Sequence, residues 1–195
     1  MTGGDQRQVR EGAIPGAGVL GMWVFLAALT VLFLASIVGY LAVRLKATAW
    51  PPPGMPRLPA GLWLATVVLL AGSATIHRAH RAIRFGKRAA STRWLQATLV
   101  LAVAFLAVQS WNWWGLIRLH LTAASNLYAF TFFMLTGLHA AHVIGGIALL
   151  AVVVARSRRG RYGSDHHGGV TYAAMYWHFL DAIWILLFAV MVAFA

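Results

Sequence analysis

The chain contains no cysteine among its 195 residues. Disulfides, thiolate metal sites, iron–sulfur clusters and cysteine nucleophiles are therefore all excluded. Acidic residues are almost as scarce, because 4 aspartates and glutamates stand against 16 lysines and arginines, which gives a formal net charge of +12. Three of the acids, Asp5, Glu11 and Asp165, fall outside the long hydrophobic runs, and only Asp181 lies inside one. Asp181 is therefore the acid that most needs an explanation.

Charged residues of all kinds make up only 10% of the chain, whereas hydrophobic residues make up 61% and the mean hydropathy is +0.73. Such a composition predicts an integral membrane protein, whose spans take about 20 residues each. The apolar runs are too long for barrel strands and lack their alternation. We therefore predict an all-α bundle of five transmembrane helices: a tail over 1–17, and a membrane domain over 18–195 with helices at about 19–43, 60–83, 94–117, 125–155 and 171–194.

The basic residues are distributed unequally between the two ends of the predicted helices. If loops are assigned to alternate sides, one side holds the tail, the second loop and the fourth loop with most of the lysines and arginines, and the other side holds only Arg44, Lys46, Arg57 and Arg118. Because short cytoplasmic loops retain lysine and arginine, this predicts a cytoplasmic N-terminus and an external C-terminus. Nucleic-acid binding is not expected, since no soluble domain presents these charges.

The last hydrophobic run carries a histidine and an aspartate, His178 and Asp181, between two tryptophans, Trp177 and Trp184. A carboxylate near the bilayer centre costs at least about 2.5 kcal/mol unless it is protonated or paired. Residues three apart on a helix lie on one face, so His178 is the nearest candidate to hold Asp181 by a hydrogen bond. The two residues are predicted to form a buried polar pair.

The fourth run contains a second polar pair, His139 and His142, among the small residues Gly137, Gly145 and Gly146, which allow a neighbouring helix to approach closely. The histidines fit two interpretations: ligands for haem or copper, or side chains hydrogen-bonded across helices. Two histidines three apart on one helix cannot take opposite axial positions on one haem, so a ligand such as His178 would have to come from another helix. No metal site is predicted.

Other histidines stand near the predicted ends of the spans. His77 and His80 alternate with arginines at the end of the second run, which favours a solvated basic helix end over a metal site. Asp165, His166 and His167 lie in a glycine-rich segment, which is typical of an exposed loop. Arg118 and His120, which follow a tryptophan cluster at the end of the third run, are candidates for a phospholipid headgroup site.

Two motifs in this order resemble those of the subunit III family of haem-copper terminal oxidases. The first is carried by Phe132, Thr136, Gly137, His139, His142, Val143 and Gly146. The second is carried by Tyr176, Trp177, His178, Phe179, Asp181 and Trp184. The resemblance extends to Gly21–Leu26, Trp50–Pro53 and the Phe105, Leu106, Gln109 pattern, and so to almost the whole chain. Five helices resemble the short bacterial form of the family.

The resemblance implies an accessory subunit of the bacterial plasma membrane without haem or copper of its own, beside catalytic subunit I and subunit II. It implies that the chain stabilises the catalytic subunit, binds phospholipid and supports proton uptake during proton-translocating oxygen reduction. Whether the chain counts as an enzyme stays open, since it would be a non-catalytic part of an oxidoreductase. His139, His142, His178 and Asp181 would then form a structural polar network. Gly137, Gly145, Gly146, Trp177 and Trp184 would support helix packing.

The chain departs from the family at two positions where a glutamate is common, Leu29 and Asn112. Any role of those carboxylates cannot be transferred to this chain. The departures favour, as an alternative, a subunit III-like accessory protein of a nitric oxide reductase. A further alternative is a stand-alone haem b protein with His139 or His142 opposite His178. The sequence does not distinguish cytochrome c from quinol as the electron donor.

Overall fold

The computed structural model describes residues 17–53, 55–56 and 58–194 and contains five helices in these ranges. They are α1 (Ala17–Lys46), α2 (Gly61–Arg84), α3 (Arg88–Arg118), α4 (Leu127–Arg158) and α5 (Gly168–Ala193). Each is long and apolar enough to cross a membrane. The described part of the chain forms no strand. The predicted all-α membrane architecture with five helices is confirmed, while Arg57 and the predicted tail before residue 17 lie outside the described residues.

The helices extend beyond the predicted bounds mainly at the ends that carry arginines. Helix α3 begins at Arg88 rather than near residue 94, and α4 ends at Arg158 rather than near residue 155. The prediction followed charge-free runs, but arginine is a good helix former and its long side chain reaches water from a helix end. The connection between α2 and α3 is correspondingly short, and Gly86 turns it with a φ of 71°.

Local signals define both ends of the connection between α3 and α4. His120 follows α3 in the left-handed region with a φ of 58°, and the N–H of Leu121 donates to the carbonyl of Leu116 at 3.1 Å. This 6→1 bond satisfies a terminal carbonyl of the helix. Asn126 then caps α4, because its side chain accepts a hydrogen bond from the N–H of Ala129 at 2.8 Å.

Helix α5 lies at the centre of the bundle and contacts α1, α2 and α4. Helices α2 and α3 form the most extensively packed pair, and α1 contacts only α4 and α5 within the described part of the chain. The core consists of aliphatic and aromatic side chains from all five helices, including the fully buried rings of Phe33, Phe105 and Trp184. The buried side chains of α5 therefore face three different neighbouring helices.

The helix ends that carry most of the arginines come together at one end of the bundle. Thr92 near the start of α3 lies 2.7 Å from Ser157 near the end of α4, measured between hydroxyl oxygens. At the opposite end, Nε of Arg44 in α1 donates to the carbonyl of Phe194 after α5 at 2.9 Å. We call the end with the contact between Thr92 and Ser157 the basic end; it contains the α2–α3 and α4–α5 connections.

Candidate functional site

Asp181 is buried in α5, with 4% of its surface exposed, and neither carboxyl oxygen has a hydrogen-bond partner among the described residues. Its neighbour His178 places Nδ1 3.8 Å from Oδ2 of Asp181, which is too long for a hydrogen bond. Nδ1 of His178 lies instead 2.8 Å from Oγ of Ser73 in α2. The predicted pair is therefore adjacent, but the short contact of the histidine is with a hydroxyl group on another helix.

The contact between α2 and α5 continues as a row of polar side chains toward the basic end. The rings of His77 and His178 lie 6.2 Å apart between centroids, and Nε2 of His80 lies 3.2 Å from Oγ1 of Thr171. The ring of His167, at the start of α5, is 6.0 Å from that of His80. We call this row the α2–α5 polar interface; its members are Ser73, His77, His80, His167, Thr171, His178 and Asp181.

His139 lies on the other side of α5 in an aromatic cage. It is fully buried, and in the described structure neither ring nitrogen has a hydrogen-bond partner. The cage is formed by Phe33 of α1, Phe105 of α3 and Trp184 of α5, whose ring centroids lie 6.3, 5.7 and 5.0 Å from that of His139. The imidazole is therefore enclosed by three other helices without a polar partner.

His142 makes its short contact within its own helix. Its Nδ1 lies 2.8 Å from the carbonyl of Leu138. Together with the contacts above, this means that direct hydrogen bonds join none of the four predicted network residues to one another in the described part of the chain. The histidines at 139 and 142 face aromatic surroundings, whereas His178 and Asp181 belong to the α2–α5 polar interface.

The three glycines predicted to allow close packing differ in their surroundings. A Cβ atom built on Gly146 would lie 3.0 Å from Cε1 of Tyr176 and 3.2 Å from Cζ3 of Trp177, so α5 approaches α4 closely there. A Cβ on Gly145 would meet only the hydroxyl of Tyr176, at 3.8 Å, and one on Gly137 would meet nothing within 4 Å. Close approach at the α4–α5 contact is therefore concentrated at Gly146.

The two tryptophans predicted to support packing are both buried in α5. Nε1 of Trp184 donates to Oγ1 of Thr66 in α2 at 2.9 Å, while its ring contacts His139. Nε1 of Trp177 has no hydrogen-bond partner within the described ranges. Trp184 thus connects the polar α2 side of α5 to the aromatic cage on the α4 side.

The predicted headgroup residues lie at the end of the bundle opposite the basic end. The guanidinium carbon of Arg118 is 3.7 Å from the centroid of a Trp114 ring, which is a cation–π contact. His120 is exposed. The stacked pair forms a cationic, aromatic corner at the end of α3.

Sequence reasoning missed Thr66 and Ser73, which supply the hydroxyl partners of Trp184 and His178. A signal for them exists, because Ser73 lies four residues before His77 and seven before His80, a spacing that places all three on one helical face. Gln109, which the sequence marks only as part of a motif, is buried in α3, and neither of its amide atoms is hydrogen-bonded to a described residue. No group of three or more metal-ligating side chains occurs in the described ranges.

Comparison with known proteins gives matches over nearly the whole chain. The family model described as cytochrome c oxidase subunit III matches residues 4–195. Cytochrome c oxidase subunit 3 of Synechocystis sp. is 36% identical over 176 residues, which cover 89% of this chain and 74% of the relative. That of Thermostichus vulcanus is 34% identical over 178 residues, with coverages of 91% and 87%. That of the lancelet Branchiostoma lanceolatum is 35% identical over 175 residues, which span only 66% of that longer relative.

Proposed function

Because this chain belongs to the cytochrome c oxidase subunit III family, we propose that it is a non-redox accessory subunit of a haem-copper oxidase that reduces oxygen. The match of the family model over residues 4–195 is the observation that carries the proposal. Its partners would be the catalytic subunit I and subunit II of the complex, in a bacterial plasma membrane. Within the complex the chain would stabilise the catalytic subunit and support proton uptake.

The outer surface of α5 supports the proposal that another subunit docks on this chain. His178 lies near the middle of this helix, yet its side chain is 43% exposed. A polar side chain at such a depth is costly against hydrocarbon and normally faces protein or a water-filled cavity. Contact with another subunit at this surface would remove that cost. The same reasoning makes the α2–α5 polar interface a structural element that fixes helix packing, in place of a network that includes His139 and His142.

Bound phospholipid is part of the proposal. A groove of about 660 Å³ between α1 and α5 is lined mainly by apolar side chains such as Trp23, Leu26 and Phe179, and also by His178. The apolar part of this surface suits an acyl chain, while His178 is the part that a protein partner would cover. At the end opposite the basic end, Arg118 and the exposed His120 provide cationic groups for a headgroup phosphate, and an indole ring beside a cation is typical of the headgroup region.

The alternative functions receive less support. The relatives are cytochrome c oxidase subunits, which favours an oxygen-reducing partner over a nitric oxide reductase despite Leu29 and Asn112. A haem on His139 would have to displace the aromatic rings that surround the imidazole on three sides. The stand-alone haem b protein is therefore the weakest candidate.

The test of this function is affinity purification of the chain from its own membranes in a mild detergent, with a visible spectrum and identification of every co-purifying protein. We expect a multi-helix haem-copper subunit to co-purify, and no haem to stay with the chain once that partner is removed. The identity of the partner distinguishes oxygen reduction from nitric oxide reduction. Haem retained by the isolated chain would contradict the proposal.

The proposed topology places the basic end in the cytoplasm. Since the chain has no cysteine, Ser164→Cys in the α4–α5 connection and Ala124→Cys in the α3–α4 connection would each introduce a single thiol at an exposed position. We expect a membrane-impermeant maleimide to label Ala124→Cys in intact spheroplasts and Ser164→Cys only after the membrane is opened. The reverse pattern would show that the basic end is external.

A further inference from the structure

The α2–α5 polar interface has a consistent direction, from the basic end of the bundle to a buried acid. It begins with His167 at the start of α5, passes His80 and Thr171, then His77 and His178, and ends at Asp181. An imidazole ring can accept a proton at one nitrogen and donate one from the other, and a hydroxyl group can both donate and accept a hydrogen bond. The row therefore consists of groups that can pass protons.

The separations along the row are short enough for transfer between neighbours, directly or through one water molecule. The two histidine pairs have centroid separations of 6.0 and 6.2 Å, and the hydroxyl contacts of His80 and His178 are 3.2 and 2.8 Å. His77 and His80 lie one turn apart on α2. No apolar helical turn interrupts the sequence of polar groups on α2 from Ser73 to His80.

The row stops at Asp181. The next contact between α2 and α5 joins Nε1 of Trp184 to Oγ1 of Thr66. An indole N–H donates a hydrogen bond but has no acceptor, so it cannot relay a proton. Asp181 itself is 5% exposed at its side chain, and both of its oxygens are free of hydrogen bonds to described residues. A group with these properties is suited to receive a proton at the end of a route that opens on one side only.

We propose that the α2–α5 polar interface is a one-ended proton-exchange route that connects the basic end of the bundle to Asp181. In the inward step the imidazolium of His178 gives its proton to the carboxylate of Asp181, which leaves a neutral imidazole and a carboxylic acid. His178 then regains a proton from His77, His77 regains one from His80, and His80 regains one from His167, which takes a proton from the aqueous phase at the basic end. One proton enters for each acid formed, and the reverse sequence releases it.

This route would be the means by which the chain supports proton uptake, and in that respect it rests on the proposed function. Proton exchange along the route does not itself require the oxidase. The exchange can be measured in the full chain without any oxidase subunit. If the exchange occurs but no oxidase co-purifies, the proposed function fails and the route stands. If an oxidase co-purifies but the exchange is absent, only the route fails.

The experiment is infrared spectroscopy of the purified full chain in lipid nanodiscs, with the solvent changed from H2O to D2O. A protonated carboxyl group has a separate carbonyl stretching band, which shifts when deuterium replaces the proton. With only 4 acidic side chains in the sequence, the band of Asp181 can be assigned by its loss in Asp181→Asn. A prior pH titration of the same band selects a pH at which Asp181 is protonated.

We expect the band of Asp181 to shift within the mixing time in the unmodified chain. The double variant His77→Phe/His80→Phe should slow the shift at least about tenfold, an increase of some 1.4 kcal/mol in the barrier. His166→Phe, an exposed residue next to His167, is the matched control and should leave the rate unchanged. Exchange of the backbone amides in the same spectra shows whether the double variant has kept its fold.

Two results would overturn the route. One is an unchanged exchange rate in the double variant with intact amide protection, because protons would then reach Asp181 by another path. The other is the absence of a protonated band of Asp181 at every pH that leaves the chain folded, since the route would then deliver no proton. If the amide protection of the double variant is lost, Ser73→Ala and His178→Gln, measured in the same way, must slow the exchange for the proposal to stand.

Discussion

Helix α5 presents different chemistry to its two neighbours α2 and α4. Toward α4 it places the rings of Tyr176 and Trp177 against Gly146, and that of Trp184 against the caged His139. Toward α2 it places His178 and Asp181 beside hydroxyl and imidazole groups. Each side includes a histidine, His139 on the α4 side and His178 on the α2 side. Only on the α2 side does the histidine have a side-chain partner.

The difference separates two roles that one residue type can take in a membrane bundle. His139, without a hydrogen bond, fills space in the cage, so the stability of a variant at this position should depend on the volume of the new side chain. His178, whose Nδ1 contacts a hydroxyl oxygen, contributes through that contact, so stability on this side should depend on whether the hydrogen-bonding groups are kept. Substitutions on the two sides should therefore respond to different properties of the new side chain.

The largest effect is expected for His139→Ala. The change would leave a cavity among Phe33, Phe105 and Trp184, all fully buried, and should lower the free energy of unfolding by about 2–5 kcal/mol. The measurement is unfolding of the purified chain by a denaturing detergent, added stepwise to mild micelles.

His139→Leu is the control for volume. It nearly fills the same space and removes two buried ring nitrogens that lack hydrogen bonds within the described structure, so the free energy of unfolding should change by less than about 1.5 kcal/mol. A loss in His139→Leu as large as that in His139→Ala would show that the imidazole has a polar function and would remove the contrast between the two sides of α5.

A smaller effect is expected for Gly146→Val, which tests close packing on the α4 side. The added side chain would meet the ring of Tyr176, whose hydroxyl donates to the carbonyl of His142 at 2.9 Å and holds the ring in place. Overpacking of this kind should cost about 1–3 kcal/mol in the free energy of unfolding. The matched control is Gly137→Val on the same helix, where a Cβ meets no atom within 4 Å. Equal losses in the two variants would indicate an effect of valine on the helix alone.

The sequence predicted the helices well because membrane spans depend on composition over many residues. Five charge-free runs, interrupted by arginines and by the prolines of residues 51–59, correspond to the five helices. The resemblance to the subunit III family, carried by motifs in α4 and α5, is likewise confirmed by the family match. Helix ends are predicted less well, because bounding each helix by its charge-free run leaves out Arg88 and Arg158, which lie inside α3 and α4.

The partners of the polar side chains could not be predicted in the same way. His178 and Asp181 are three apart on one helix, which favoured a local pair, but the side chain that approaches His178 most closely is Ser73, 105 residues away in sequence. Such a contact depends on the rotation of α2 against α5, and apolar packing along the whole interface sets that rotation. The spacing of residues along one helix shows which polar side chains share a face, but it does not show which side chains of a neighbouring helix they contact.

The smallest effect is expected for Ser73→Ala, which tests the α2 side of α5 directly. The change removes the 2.8 Å contact with Nδ1 of His178, and should lower the free energy of unfolding by about 0.5–1.5 kcal/mol. Ser36→Ala is the control, because the hydroxyl of Ser36 donates only to the carbonyl of Leu32 in its own helix at 2.9 Å. The 15N shifts of the His178 ring provide a second measurement, since loss of the partner should change Nδ1 more than Nε2. Unchanged ring shifts in Ser73→Ala would mean that the imidazole does not depend on this hydroxyl, and would remove the contrast between His178 with a side-chain partner and His139 without one.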